Sequence, residues 1–251
     1  MSSPSSRANT QRRTWSGLGD IHRLPSEYEI VTHDTNYTTR KGRDAALEQN
    51  PSSVANLWFL TYRDRSALQV DDWSGFRDPD QLTYRSYVTA QDQRETVVAG
   101  IFEDYSDAHQ ERGLAQSWLR TLAALFTPVR FLVHGMQMCA AYLGYMAPSS
   151  YITNCAAFAT ADLLRRGSVV AYRTRQLQRL FPSSVSVRAS AITGSEIWPG
   201  KARAKRSSSR CAPNDWAEAF TALNLVLRPR LDDVWLRQLG ELATLHGDEQ
   251  T

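Results

Sequence analysis

Five histidines are the first residues of this chain to test for chemistry, because an all-helical protein holds a metal pair with histidines and carboxylates. Such a bundle uses Glu-x-x-His, since residues three apart share a helix face and aim at one site. The positions three before His22, His33, His109, His134 and His246 are Gly19, Ile30, Ser106, Phe131 and Ala243. None is glutamate. From Arg112 through Ala161 there is no Asp or Glu at all, so this chain cannot charge-balance a metal cluster there. It is therefore expected to bind no metal and no other cofactor. His134 reads as a core histidine hydrogen-bonded to a polar neighbour rather than as a lone ligand.

Other reaction centres fail in the same way. Cys139, Cys155 and Cys211 form no CxxC pair, and Cys139 and Cys155 read as small buried hydrophobes rather than a redox couple. Gly17-Leu18-Gly19 lacks the third glycine of a dinucleotide fingerprint, and Gly194 to Lys201 is followed by Ala202 where a phosphate loop needs Ser or Thr. No Gly-x-Ser-x-Gly elbow is present. The basic run Lys201 to Arg210 could neutralise nucleic-acid phosphates, but Trp198 is its one nearby aromatic, and a solvated loop is the simpler reading. Neither nucleic acid nor a membrane is expected as a partner. No catalytic residue is assigned.

The elements that would have to position any site are helical. Asn50-Pro51 and Asp78-Pro79 each resemble a helix start, the second opening a long helix to about Asp107. In that helix Leu82, Val88, Val97, Ile101 and Phe102 keep roughly helical spacing. A third helical stretch runs from about Leu114 to Met146 with Pro128 as a kink, and a fourth from Tyr151 to Leu180. A fifth begins at Asp215, meets Pro229 and resumes through Trp235 and Leu239. No stretch has the alternation of a strand, so the fold class is all-α, a bundle of long helices. Residues 1–50 read as an extended arm and 51–251 as the helical domain. Within that domain, 182–212 is Ser- and Arg-rich without helical period and reads as a loop.

At 251 residues with a net charge of +3, the chain has ordinary globular composition. It begins without an apolar signal core, and its most apolar run, Phe131 to Ala147, is too short for a span, so a cytoplasmic location is expected. Aromatic residues collect near the first helices: Trp58, Phe59, Tyr62, Trp73, Phe76, Tyr84 and Tyr87. Two readings stay open for them. They pack a core, or, with Tyr28 and Tyr37 of the arm, they build a subunit interface in which Trp73 and Phe76 take part.

Several segments resemble the β subunit of the hydroxylase component of soluble bacterial multicomponent di-iron monooxygenases, the toluene, phenol, alkene and propane monooxygenase group. They are RLPSEYEIVTHDTNY at Arg23 to Tyr37, DDWSGFRDPDQLTYRSYV at Asp71 to Val88, HGMQMCAAYLGYMAPSS at His134 to Ser150, AYRTRQL at Ala171 to Leu177, and DWAEAFTALNLVLRPRLDDVWLRQLGELA at Asp215 to Ala243. The resemblance implies a ferritin-like helical bundle that has lost the di-iron ligands. It implies an (αβγ)₂ hydroxylase whose α subunit holds the irons, with an effector protein, a reductase fed by NADH and, in some branches, a Rieske-type ferredoxin. The complex would hydroxylate or epoxidise hydrocarbons with O₂. The arm would lie across α, with Arg23, Pro25, Tyr28 and Tyr37 at the interface.

Relative to that family, 182–212 is anomalous, as if two compensating frame shifts bracketed it, and the chain reads as truncated after His246. The last helix is then expected to expose Val234, Leu236, Leu239 and Leu242. The rival reading is a stand-alone all-α, ferritin-like binding protein with no enzymatic partner.

Overall fold

The computed structural model describes residues 23–39, 52–107, 113–185 and 214–251. Among these residues there is helix and no strand. The expected boundary near residue 50 and most of the 182–212 segment lie outside them.

The molecule is organised on a helical hairpin. Helix α5 (Val129–Tyr145) turns through Met146 to Ser149 into α6 (Ser150–Leu180). Ser149 caps α6 through a side chain that accepts from Ile152 N–H, which stops the chain from running on as one helix. The facing residues repeat at helical spacing: Val133, Met136, Ala140 and Leu143 on α5, Leu163, Val170 and Leu177 on α6, all buried. Close approach at the turn end is set by Gly144, where an added Cβ would stand 3.2 Å from the Ala156 side chain.

Helix α4 (Gln116–Thr121) leads into a π turn at Leu122–Phe126, and together they sink Trp118, Leu119, Leu122 and Phe126 into the same core. After Asp215, whose carboxylate caps Ala217 and Glu218 N–H, a continuous helical rod follows. It comprises α7 (Trp216–Phe220), a π turn at Thr221–Leu227, α8 (Arg228–Leu231), a second π turn at Asp232–Gln238 and α9 (Leu239–Leu245). Trp216, Ala219, Leu223, Trp235, Leu239 and Ala243 are its buried stripe.

Both expected proline breaks are met by the same device. Thr127 N–H reaches back five residues to Leu122 carbonyl before Pro128, and Arg228 N–H reaches Leu223 carbonyl before Pro229. The wider turn shifts the acceptor pattern just where proline removes a donor. At Pro128 the helix is interrupted and restarts; at Pro229 it carries through.

Several expectations need correction. The arm is not extended throughout, because α1 (Glu27–Thr32) is helical. Helix α2 (Val54–Tyr62) takes its cap from Ser53, whereas Asn50 and Pro51 fall outside the described residues. Asp78 does not start a helix. Its carboxylate accepts from Asp80 and Leu82 N–H in a turn that places Gln81 at φ 46°, and α3 (Tyr84–Asp107) begins after it. Val88, Val97 and Ile101 of α3 are exposed, leaving Tyr87 and Gln91 as its buried contacts among the described side chains. His134 is exposed on the outer face of α5, because Val133 and Met136 on either side of it take the core. In the last helix Val234, Leu236 and Leu242 are exposed as expected, but Leu239 is buried at 5%.

Candidate partner interface

The residues singled out for contact with another subunit lie on and around α1 (Arg23, Pro25, Tyr28 and Tyr37) and on the segment before α3 (Trp73 and Phe76). Their local order begins with Ser26, whose hydroxyl accepts from Glu29 N–H at 3.2 Å while Glu29 Oε2 accepts from Ser26 N–H at 2.9 Å. This reciprocal capping box makes a six-residue helix start at Glu27. The same Glu29 carboxylate receives both terminal nitrogens of Arg23, at 2.6 and 2.8 Å. Arg77 stands 3.8 Å from it on the other side. The Arg23 guanidinium, with further help from Ser26, holds the Glu29 carboxyl down at about 2.

Next to Glu29, Tyr28 is buried at 3% against Tyr151 of α6, ring centroids 5.6 Å apart. Its hydroxyl accepts from Asp78 N–H at 3.3 Å, and the Arg77 guanidinium lies 3.8 Å above the Tyr151 ring. Burial raises the Tyr28 and Tyr151 phenols. The arm then crosses the start of α6, where Ser150 accepts from Thr35 N–H and donates to Asn36. Tyr37 closes the strap. It stacks on Phe59 of α2 at 4.2 Å, donates to Asn56 at 2.9 Å, and its carbonyl accepts from Arg63 at 2.6 Å.

The expected interface residues therefore divide. Tyr28, Tyr37 and Pro25 are buried against this chain's own body, and Trp73 packs edge-on to Trp216 at 5.4 Å. Arg23 and Phe76 face outward, Phe76 at 41% exposure. The arm also presents Leu24 at 75%, Ile30 at 56% and Val31 at 51% exposure, which the sequence reading did not select. It also passed over Glu29, Arg77 and Tyr151, although Ser26-x-x-Glu29 was a legible capping signal. Of the aromatic group, Phe59 and Tyr87 are core, Trp58, Tyr62 and Trp73 pack against it, and Tyr84 is exposed.

Among the described residues no group of three His, Cys, Asp or Glu side chains could hold a metal ion. Among the described residues the buried carboxylates are Glu29 and Asp248, each engaged by an arginine, and they do not fit a di-iron pair. Cys139 and Cys155 are free thiols, both raised by burial, Cys155 to about 11. A cleft of about 640 Å³ between α3 and α6 is crossed by the Glu95–Arg165 ion pair at 2.5 Å. No helix among the described residues is long and apolar enough to cross a membrane.

Comparison with known proteins settles the kinship. The family model described as methane/phenol/alkene hydroxylase matches residues 58–251. The chain is 36% identical over 240 residues to the hydroxylase component subunit beta of the toluene-4-monooxygenase system of Ectopseudomonas mendocina, covering 94% of this chain and 72% of that one. The chain belongs to the methane/phenol/alkene hydroxylase family. A solved structure of toluene 4-monooxygenase, with toluene bound in the resting active site, superposes with a TM-score of 0.80 at 35% identity, over 95% of this chain and 78% of the other. The phenol hydroxylase of Pseudomonas sp. OX1, at 16% identity and a TM-score of 0.71 over 100% of this chain and 74% of that one, shares the fold. This member of the hydroxylase family is a β-type subunit of a monooxygenase hydroxylase complex, an oxidoreductase, and the helical, ferritin-like expectation holds. The reading as a stand-alone binding protein is not favoured.

Proposed function

We propose that this chain is the β subunit that supports a separate, di-iron-bearing α subunit in a cytoplasmic (αβγ)₂ hydroxylase. The assembly draws NADH-derived electrons through a reductase, in some branches with a Rieske-type ferredoxin, and an effector protein tunes it. It inserts oxygen from O₂ into a hydrocarbon. The chain's own part is mechanical. Its arm is fixed to α6 through Tyr28, to α2 through Tyr37 and to the segment before α3 through Glu29 and Arg77, and so offers a pre-ordered surface instead of a floppy one.

The observation that carries this reading is the two-faced arm. Tyr28, Glu29 and Thr32 are buried, while Leu24, Ile30 and Val31 stand exposed, as does Phe76 of the segment before α3. A strap anchored by its inner face and apolar on its outer face is what a subunit contact needs, and it has no use in a monomer. Arg23, Pro25, Tyr28 and Tyr37 then act mostly by holding the arm, Trp73 by packing on Trp216, and Phe76 by touching the partner.

Co-expression with the larger hydroxylase subunit tests it. The wild-type chain co-purifies with that subunit, and the double variant Leu24→Asp, Ile30→Asp is lost from the complex while keeping its helical circular dichroism. Full retention of the double variant in the complex would overturn the assignment of the arm.

A further inference from the structure

Helix α5 carries a second outward stripe that nothing above uses. His134, Met138, Ala141 and Tyr145 are all exposed, and their spacing of four, three and four places them on one line along the helix. Met138 is 52% and Tyr145 59% open to solvent. The eleven steps of helix from His134 to Tyr145 span about 16 Å. That is three turns of apolar surface interrupted by one histidine.

At the N-terminal end of this line sits Arg130, one turn before His134. It is half-buried, its Nη1 donates to Thr127 carbonyl at 3.0 Å, and its guanidinium lies 4.6 Å from the neighbouring Phe131 ring. No carboxylate among the described residues pairs with it. The sequence explains why, since Arg112 through Ala161 contains no Asp or Glu. Burial pulls the Arg130 guanidinium below its usual value, the mark of a cation desolvated without a counter-ion.

The other end of the stripe runs into the arm. Tyr145 meets Phe59 at 5.1 Å, and Phe59 stacks on Tyr37 at 4.2 Å. The exposed face of α5 therefore continues from the place where the strap is fastened. A cation lacking an anion, an apolar stripe of helical length and continuity with the arm all describe the same missing neighbour.

We propose that the stripe Arg130–His134–Met138–Ala141–Tyr145 seats a helix of the larger hydroxylase subunit, one that lays apolar residues along Met138 to Tyr145 and brings a carboxylate to Arg130. The inference rests on the reading of the chain as a hydroxylase β subunit. A second copy of this chain is the weaker occupant, because two such faces would set Arg130 of each against a surface equally short of acid.

The test uses the co-expressed hydroxylase complex, with subunit affinity read by titrating the chain onto the immobilised larger subunit. Arg130→Glu and Met138→Glu each weaken association by about tenfold or more, as loss of a central contact does, whereas Arg130→Lys and Met138→Leu stay close to wild type. Met138→Glu keeps the melting temperature of the wild-type chain, because Met138 is exposed, and Arg130→Lys keeps the charge of the half-buried Arg130, so a loss of binding in the first with retention in the second is not a folding effect. A photo-crosslinker at position 138 links to a helical, carboxylate-bearing peptide of the larger subunit. The proposal is overturned if the glutamate variants bind like wild type, or if the crosslink joins position 138 to a second copy of this chain or to its own residues 186–213. A wild-type chain that fails to bind the larger subunit would instead remove the subunit reading itself.

Discussion

Arg173 of α6 and Asp248 of the C-terminal turn meet at 2.8 Å with both side chains 1% exposed. The contact is reached because Gly247 takes φ +69° and turns the chain back after α9. Asp248 Oδ2 also accepts from Trp118 Nε1 at 3.0 Å, and Arg173 donates to Gln250 and Thr251. One buried ion pair thus ties α4, α6 and the end of the last rod together. Removing one partner leaves a buried charge without compensation, which costs about 3–5 kcal/mol. Asp248→Ala should lower stability by that amount in urea unfolding. The double variant Arg173→Met, Asp248→Leu should lose less than Asp248→Ala alone; a larger loss would show that the pair contributes net stability.

Two buried tryptophans should respond unequally to the same change. Trp118 donates to Asp248, whereas Trp235 Nε1 is buried with no acceptor among the described residues. Trp118→Phe removes a satisfied bond to a buried carboxylate and should cost about 1–3 kcal/mol beyond lost volume. Trp235→Phe removes an unsatisfied donor and should cost distinctly less. Equal shifts in the urea midpoint would contradict this.

The arm should open in acid. The Glu29 carboxyl is held at about 2, against 4.5 for a free glutamate. Its pKa is depressed in the folded state, so its contribution is complete above pH 4.5 and disappears as pH falls towards 2. Proteolysis or exchange of the arm should accelerate across that window in the wild-type chain. In Glu29→Gln the window should vanish, with the arm loosened at all pH values.

Ser26→Ala removes half of the capping box. A lost N-cap costs about 1 kcal/mol, here concentrated on a helix of one and a half turns. Amide exchange at Glu29 and Ile30 should speed up, while α6 remains as protected as before.

Cys155 should be chemically quiet. Burial, with nearby Asp78, pushes its thiol to about 11. At pH 8 about one molecule in a thousand then carries the thiolate. Alkylation at Cys155, followed by peptide mapping, should be slow in the native chain and fast after unfolding.

Much of the architecture was legible in the residues. Ser149 before α6 and Asp215 before the last rod act locally, through a side-chain oxygen and the next amides, so sequence alone locates those starts. Asp78-Pro79 misled because an aspartate serves a turn as readily as a cap, and the choice depends on where the chain goes next. The arm helix escaped notice because its period is too short to register, although Ser26 and Glu29 stand at capping-box spacing.

By itself the sequence determined which metal-ligand pattern this chain lacks. Missing Glu-x-x-His pairs and the acid-free stretch from Arg112 to Ala161 are facts of composition that no folding can repair. Tertiary structure decided which way each side chain faces. A helical period says that Val133 and His134 differ by 100° around α5 but not which of them meets α6. Packing of Val133, Met136, Ala140 and Leu143 chose the rotation and turned His134 outward. The same competition for apolar contact drew Tyr28 and Tyr37 inward and left Leu24, Ile30 and Val31 facing solvent.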